Sequence, residues 1–393
     1  KKRIGAMGTS IQILSDDISL VASAQSWIEG LAIQQLHTTA AMPGMQQVAG
    51  MPDLHPGKGY PIGAACFSTG QLYPALVGSD IGCGMSLWQT GLVCRKTKTD
   101  KLAKALKNVE QPLDASWQSL IQSEKSRRGI SADGFDSALG TIGSGNHFAE
   151  FQQVDEVLDE ALFAACELNL NNLLLLVHSG SRGYGQSILQ EHVLKFGHRG
   201  LADQSPEQQY YLQQHNDALR WAELNRFLIA RRFLDAARTE GELTLDVNHN
   251  LVSPFTYTDG PSQQGWLHRK GATPADVPLV VIPGSRGDFS WLVAPVSDAD
   301  PKALCSLAHG AGRKWKRSDC KERLAHKYSQ TEMQRTSLGS QVICANKELL
   351  YEEAPQAYKD SRRVIDDMLE AGLIRLVARL KPVLTFKTQG GRC

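Results

Sequence analysis

Neither sign of charge is in excess: 42 Lys and Arg stand against 41 Asp and Glu, a formal net charge of +1. Nucleic-acid binders usually carry a basic surplus, so any such role must rest on a local patch. Long apolar runs are lacking, and none approaches the roughly 18 residues that a membrane span needs. No apolar secretory leader is visible. The eight cysteines, at 66, 83, 94, 166, 305, 320, 344 and 393, form no CxxC pair, which argues against a zinc ribbon or a thioredoxin-type motif. Reduced thiols and a cytoplasmic location are therefore expected. Repeats, low-complexity tracts and a Pro- or Ser-rich linker are also missing. Gly57-Lys58 in HPGKGY lacks the upstream glycine spacing and the following Ser/Thr of a phosphate-binding P-loop.

What is present is the composition of an ordinary globular protein, 42% apolar and 21% charged over 393 residues. One compact unit is the simpler reading. Residues 1–6 read as a cloning remnant before Met7. Apolar spacing of three and four predicts helices over 100–127, 154–168, 187–240 and 356–380, the third as a helical insertion with Pro206 near a helix start. Short apolar runs predict buried strands at 74–77, 173–177, 243–247 and 279–282. Each ends in a tight turn bearing polar groups: GSDIGCGM, HSGSRGYG, NHN and PGSRG. Rigid scaffolds present functional groups on loops of this kind.

The turn GSDIGCGM (78–85) is by itself explained by a capping aspartate and a buried thiol. Yet the glycines flanking Cys83 also open room for a ligand, and Asp80 could share a cation with the thiolate. Four histidines sit in comparable settings: His147 in GSGNHFAE, His178 in HSGSRGYG, His249 in NHN and His309 in HGAGR. Any one of them reads more readily as structural. Together with one carboxylate and one thiolate they compose a plausible two-metal site, since sulfur can bridge two cations. His37, His192, His198, His215 and His326 keep the structural reading. The Gly–Arg loops at 179–185, 283–290 and 309–317 could form anion-binding nests with arginine forks for phosphate.

PDLHPGKGYPIG, GSDIGCGM, GSGNHFAE, HSGSRGYG, HRKGATPA and HGAGR, in this order, resemble the RtcB family of RNA-splicing ligases, from about Met51 to Lys387. The chain is similar to the shorter bacterial members. The resemblance implies an α+β (mixed α/β) catalytic domain over 7–387, with packed sheets, surrounding helices and a central cleft, followed by a tail at 388–393. It implies a GTP- and Mn(II)-dependent ligase that joins RNA 2′,3′-cyclic phosphate or 3′-phosphate ends to 5′-hydroxyl ends. Two manganese ions would be held by Asp80, Cys83, His147, His178 and His249, and His309 would carry GMP. Nucleotide contacts would come from Asn146, His147, Phe148, Ala149, Glu150, His249, Asn250, Pro283, Gly284, Ser285, Arg286, Ser290, Gly310, Ala311, Gly312, Tyr358 and Lys387. Arg182, Arg313, Lys314 and Lys316 are candidates to hold RNA phosphates. A monomer is expected, with tRNA or ribosomal RNA as substrate and a release-factor-like protein as a partner in ribosome repair. Two departures stand out, Arg286 in place of an apolar residue and the extra TQGGRC ending. Rival readings are a metal-dependent RNA-end phosphatase or cyclic phosphodiesterase, and a catalytically idle RNA-end binder.

Overall fold

The computed structural model describes residues 10–388, so the remnant expected at 1–6 and all of the tail beyond Thr388 lie outside the described residues. In chain order the strands are β1 (Ile11–Ser15), β2 (Ile18–Val21), β3 (Met45–His55), β4 (Ile62–Ser68), β5 (Gln71–Leu72) and β6 (Gly84–Val93). Then come β7 (Phe148–Val157), β8 (Asn172–Ser179), β9 (Leu201–Ala202), β10 (Gly241–Asn248), β11 (Asn250–Tyr257) and β12 (Gln263–Lys270). The last six are β13 (Ala272–Pro274), β14 (Val280–Pro283), β15 (Ser290–Pro295), β16 (Ser306–Ala308), β17 (Gln341–Cys344) and β18 (Ile374–Thr388).

Two large sheets result, one ordered β1-β2-β3-β4-β12-β11, the other β10-β6-β8-β7-β18-β15-β14 with β17 added parallel to β18. They face each other through Met51, Phe67 and Leu267 of the first and Ile282, Trp291 and Val293 of the second, joined by Val364, Ile365 and Met368 of the helix Ser361–Glu370. Toward β7 and β8, the second sheet packs Phe151 and Leu175 against Ile229 and Phe233 of the long helix Pro206–Ala237. The mixed α+β architecture expected from the sequence is the one found. No helix among the described residues is long and apolar enough to cross a membrane.

Several element boundaries differ from the periodicity reading. Residues 74–77 form a 3-10 turn, Pro74–Leu76, rather than a strand, because proline fixes φ and donates no ladder hydrogen bond. Residues 154–157 remain in β7, and only Glu160–Ala165 is helical. The stretch 356–380 divides at Gly372, whose φ of +69° ends the helix Ser361–Glu370, and IRLVARL then enters β18. The 187–240 region holds the end of helix Arg182–Phe196 and all of Pro206–Ala237. The second is no appendage: Trp221, Leu224, Arg226 and Leu228 on it are fully buried.

Candidate active site

Four strand ends meet between the sheets. GSDIGCGM leads into β6, where a Cβ on Gly82 (φ +73°) would stand 2.8 Å from the Ala222 Cβ, so only glycine lets this loop lie against the long helix. A Cβ on Gly180 would stand 2.2 Å from Asp80 Oδ1, so HSGSRGYG leaves the carboxylate its space. His178 lies near the end of β8, paired across to Met85 of β6 and to Phe148 of β7. His147 immediately precedes β7. His249 is the single residue between β10 and β11, at the crossing from one sheet to the other, and its N–H donates to the Cys83 carbonyl at 2.8 Å.

These turns bring ligand-type atoms together. Cys83 Sγ is 3.3 Å from His147 Nε2 and 3.2 Å from His178 Nε2, and Asp80 Oδ2 is 2.9 Å from His147 Nε2. The two imidazoles face main-chain carbonyls with Nδ1, those of Ile142 at 3.1 Å and Asn146 at 3.2 Å. Nδ1 therefore carries the proton, and on a neutral ring Nε2 turns a lone pair toward sulfur and carboxylate. Acceptors converging on one point in a buried site are what a cation relieves, and carbonyl-anchored imidazoles are typical of metal ligands. The ligand atoms of Cys83, His147 and His178 lie within 4.8 Å of one another. The His249 ring is 5.2 Å from that of His178 and 4.9 Å from that of His309, which places it between the cluster and the next histidine.

Electrostatics agree with that chemistry. Burial, then the Asp80 carboxylate, pushes the Cys83 thiol well up. Burial pushes His178 and His249 well down, helped by the neighbouring imidazoles. Burial also raises the Asp80 carboxyl, but His147 beside it prevails and holds it below the ordinary range. Without a cation the site favours neutral rings at His178 and His249 and a protonated thiol at Cys83; a bound divalent ion would reverse the preference at sulfur.

His309 follows β16 and projects into a cavity of about 780 Å³ that is also lined by Asp80, Cys83, His178 and His249. That volume falls in the range of small-ligand pockets. Its Nδ1 stands 2.6 Å from Oδ2 of Asp53, a fully buried carboxylate that also accepts the His309 backbone N–H at 3.1 Å. Asp53 lies in PDLHPGKGYPIG, but no role attached to it from sequence. The contact is at ion-pair distance without aligned hydrogen-bond geometry, and Nδ1 has no other partner among the described residues; a carboxylate that close favours a proton on Nδ1 and leaves Nε2 free.

Of the expected nucleotide residues, Asn146, Phe148, Glu150, Asn250, Pro283–Arg286, Ser290, Gly310–Gly312, Tyr358 and Lys387 line the same cavity. Ala149 does not: strand alternation turns it, with Phe151, into the core behind β7. The Asn250 side chain is engaged within the protein, donating to the Asp80 carbonyl at 3.0 Å and accepting from Gly271 N at 2.7 Å. Arg286 is buried and donates to the Leu350 carbonyl at 2.9 Å. Lys387 Nζ donates to the Gly145 carbonyl at 2.9 Å and lies 3.9 Å from Glu353; burial lowers it to about 8. Glu353 is raised by burial but held below the carboxylate range by Lys387, Arg317 and Arg313 around it.

The four basic candidates separate. Lys314 and Lys316 are exposed at the cavity mouth. Arg313 turns inward, giving Nη1 to Glu353 and the Tyr358 hydroxyl and Nη2 to the Glu352 carbonyl, so its fork is occupied within the protein. Arg182 lies behind the cluster against Gly143, not in the cavity wall.

The long helix supplies residues no motif announced. Arg226, with no exposed surface, donates Nε to Asp246 Oδ1 at 2.7 Å, Nη1 to the Gly82 and Ser179 carbonyls at 2.7 and 3.0 Å, and Nη2 to Asn248 Oδ1 at 2.7 Å. One guanidinium thus ties the residues adjoining Cys83, His178 and His249. Its neighbour Asn225 accepts from Gly140 N and donates to the Thr141 and Gly180 carbonyls, holding the approach to His147.

Comparison with known proteins identifies the family. The family model described as tRNA-splicing ligase RtcB matches residues 35–130 and 122–388. The chain is 55% identical over 386 residues to the RNA-splicing ligase RtcB2 of Escherichia coli strain ATCC 25922, covering 98% of this chain and all of that protein. It is 31% identical to the RNA-splicing ligase RtcB of Mycobacterium tuberculosis, over 89% of this chain and 99% of that one, and 29% identical to the tRNA-splicing ligase RtcB of Aeropyrum pernix, over 89% and 90%. With the family model matching most of its length and a relative 55% identical over 98% of it, the chain belongs to the RtcB family.

Proposed function

We infer that the protein is a GTP- and Mn(II)-dependent RNA ligase that joins 2′,3′-cyclic phosphate or 3′-phosphate ends to 5′-hydroxyl ends. The observation that carries this reading is His309, its Nδ1 set against Asp53 and its ring 4.9 Å from that of His249 in a shared cavity. Asp80, Cys83, His147, His178 and His249 would hold the metal ions, whose contribution is to withdraw charge from phosphate oxygens and lower the pKa of water.

The chain's own residues account for the rest. With the proton on Nδ1 facing Asp53, the Nε2 lone pair of His309 attacks the α-phosphorus of GTP; an N–P bond forms, and the bond to the pyrophosphate leaving group breaks. An oxygen of the RNA 3′-phosphate then attacks the same phosphorus and frees His309, giving RNA(3′)pp(5′)G. The 5′-hydroxyl of the partner RNA finally attacks the 3′-phosphate, releasing GMP and losing its proton. A cyclic end is first opened by water. Glu150, Tyr358 and Lys387 offer polar groups to the guanosine. The GMP-carrying step is tested by intact mass after incubation with GTP and Mn(II): wild type gains one GMP, His309→Ala none. No gain by wild type, with opening of cyclic ends and no joined product, would favour the hydrolytic reading instead.

A further inference from the structure

Trp27 and Leu31 are large apolar side chains left open beside the cavity, 53% and 44% exposed, and Leu31 with Glu29 lines its wall. They do not sit on a loose segment. The Ser23 N–H donates to Asp367 Oδ1 at 3.2 Å, the Ser26 hydroxyl bonds the other oxygen of the same carboxylate, and Gln25 accepts from Arg363 at 2.8 Å. Lys359 Nζ, fixed by the Pro52 and Leu54 carbonyls, lies 6.0 Å from the Trp27 ring centroid. The helix Gly30–Ala40 is fastened to the HPGKGY turn by Gln35, which accepts from Gly57 N at 3.1 Å and donates to Gly57 O at 2.9 Å. Leu31, one turn before Gln35, shares its helix face, so the apolar rim adjoins Lys58.

Lys58 is exposed, lines the cavity, and makes no ion pair or hydrogen bond among the described residues. Lys314 and Lys316, also exposed at the mouth, have no carboxylate partner among the described residues either. Against these three cations the rim sets Glu29. An aromatic face accepts any base, and unpaired lysines accept a phosphate backbone. The combination suits a single-stranded polyanion better than a protein surface, which would more often meet paired charges.

We propose that this rim docks the single-stranded RNA next to its reacting end, one base lying against Trp27 and Leu31 and a backbone phosphate on Lys58. The proposal rests on the reading that RNA ends enter this cavity. The test is titration of a short fluorescent single-stranded RNA bearing a 3′-phosphate into the full chain and its variants at several salt concentrations. Trp27→Ala weakens binding about 5- to 150-fold, and Trp27→Phe recovers most of it. Lys58→Ala lowers the slope of log affinity against log salt by about 0.7. GMP uptake from GTP, which needs no RNA, is measured on the same preparations as a control for an intact site. Wild-type RNA affinity in Trp27→Ala overturns the proposal and leaves the patch to a protein partner. Joint loss of RNA binding and GMP uptake also overturns it, because the residue then acts on the site's integrity. Failure of wild type to take up GMP would count against the proposed function, while the RNA titration would still judge the rim.

Discussion

Replacing Arg226 tests whether the cation cluster is set from the long helix. Arg226→Met removes a guanidinium that satisfies Asp246, the carbonyls of Gly82 and Ser179, and Asn248, all within 3.0 Å. Asp246 would be left with an uncompensated charge, and burial already raises it to about 6 with Arg226 alongside. Breaking a buried pair in this way costs about 3–5 kcal/mol, a large part of the roughly 5–15 kcal/mol that holds a domain together. Arg226→Lys keeps the charge but loses the fork; it can reach one or two of the four acceptors and should cost about 1–3 kcal/mol. The lysine variant is the informative one, since the loops bearing Cys83 and His178 lose their common anchor while the fold persists. Urea unfolding gives the stability, and equilibrium dialysis with Mn(II) gives the metal affinity. Expected is a fall in metal affinity for Arg226→Lys on the order of 10–100-fold, as for outer supports of metal ligands. Wild-type affinity together with a stability loss under about 0.5 kcal/mol would refute the reasoning.

Three further outcomes follow from the site. Asp53→Asn removes the carboxylate facing His309 Nδ1 and permits the other tautomer; GMP uptake should fall on the order of 10³–10⁴-fold, as when a histidine-orienting carboxylate becomes an amide, and uptake within tenfold of wild type would contradict the assigned orientation. Lys387, lowered to about 8 from an ordinary 10.5, is charged below pH 8 and loses its proton above it, so affinity for the anionic nucleotide should fall as pH rises through about 8. The linked stability has the opposite sign, because the unfolded chain keeps a proton up to 10.5 that the fold releases near 8; burial of the charge is a penalty below 8, relieved between the two values. Binding by calorimetry across that range, with Lys387→Met as a pH-insensitive reference, checks both statements. Finally, Cys83→Ala removes the atom that adjoins both His147 and His178, whereas Asp80 adjoins only His147 of the cluster histidines; metal content should fall further in Cys83→Ala than in Asp80→Ala, and equal content in Cys83→Ala and wild type would remove sulfur from the site.

The legible parts of the site are those in which one short segment carries both a turn and its ligand. HSGSRGYG and NHN each carry a ligand-type histidine at the end of a strand, so an apolar run followed by a polar turn could be read directly, whereas GSDIGCGM follows a 3-10 turn and leads into β6. Arg226 was illegible for the converse reason: on a helix a buried arginine is written with the same letter as a solvated one. A signal did exist. Ala218, Ala222, Asn225, Arg226, Ile229 and Phe233 share the stripe that helical periodicity assigns to the core, and two polar residues within it call for buried partners. Asp53 stayed silent because its partner His309 lies 256 residues away. The misplaced helix at 356–380 shows the same limit, since IRLVARL fits either period until Gly372 separates a helix from β18.

The central place of β18 has a consequence for how the molecule is made. β7 is complete at residue 157, but its partner β18 begins only at Ile374, so on a ribosome working at 5–20 residues per second the open edge of β7 waits about 10–40 s. Unpaired strand edges are templates for wrong pairing. The nascent chain therefore passes through a long interval in which β10, β6, β8 and β7 already exist while the strand that closes the edge of β7 is still to be made.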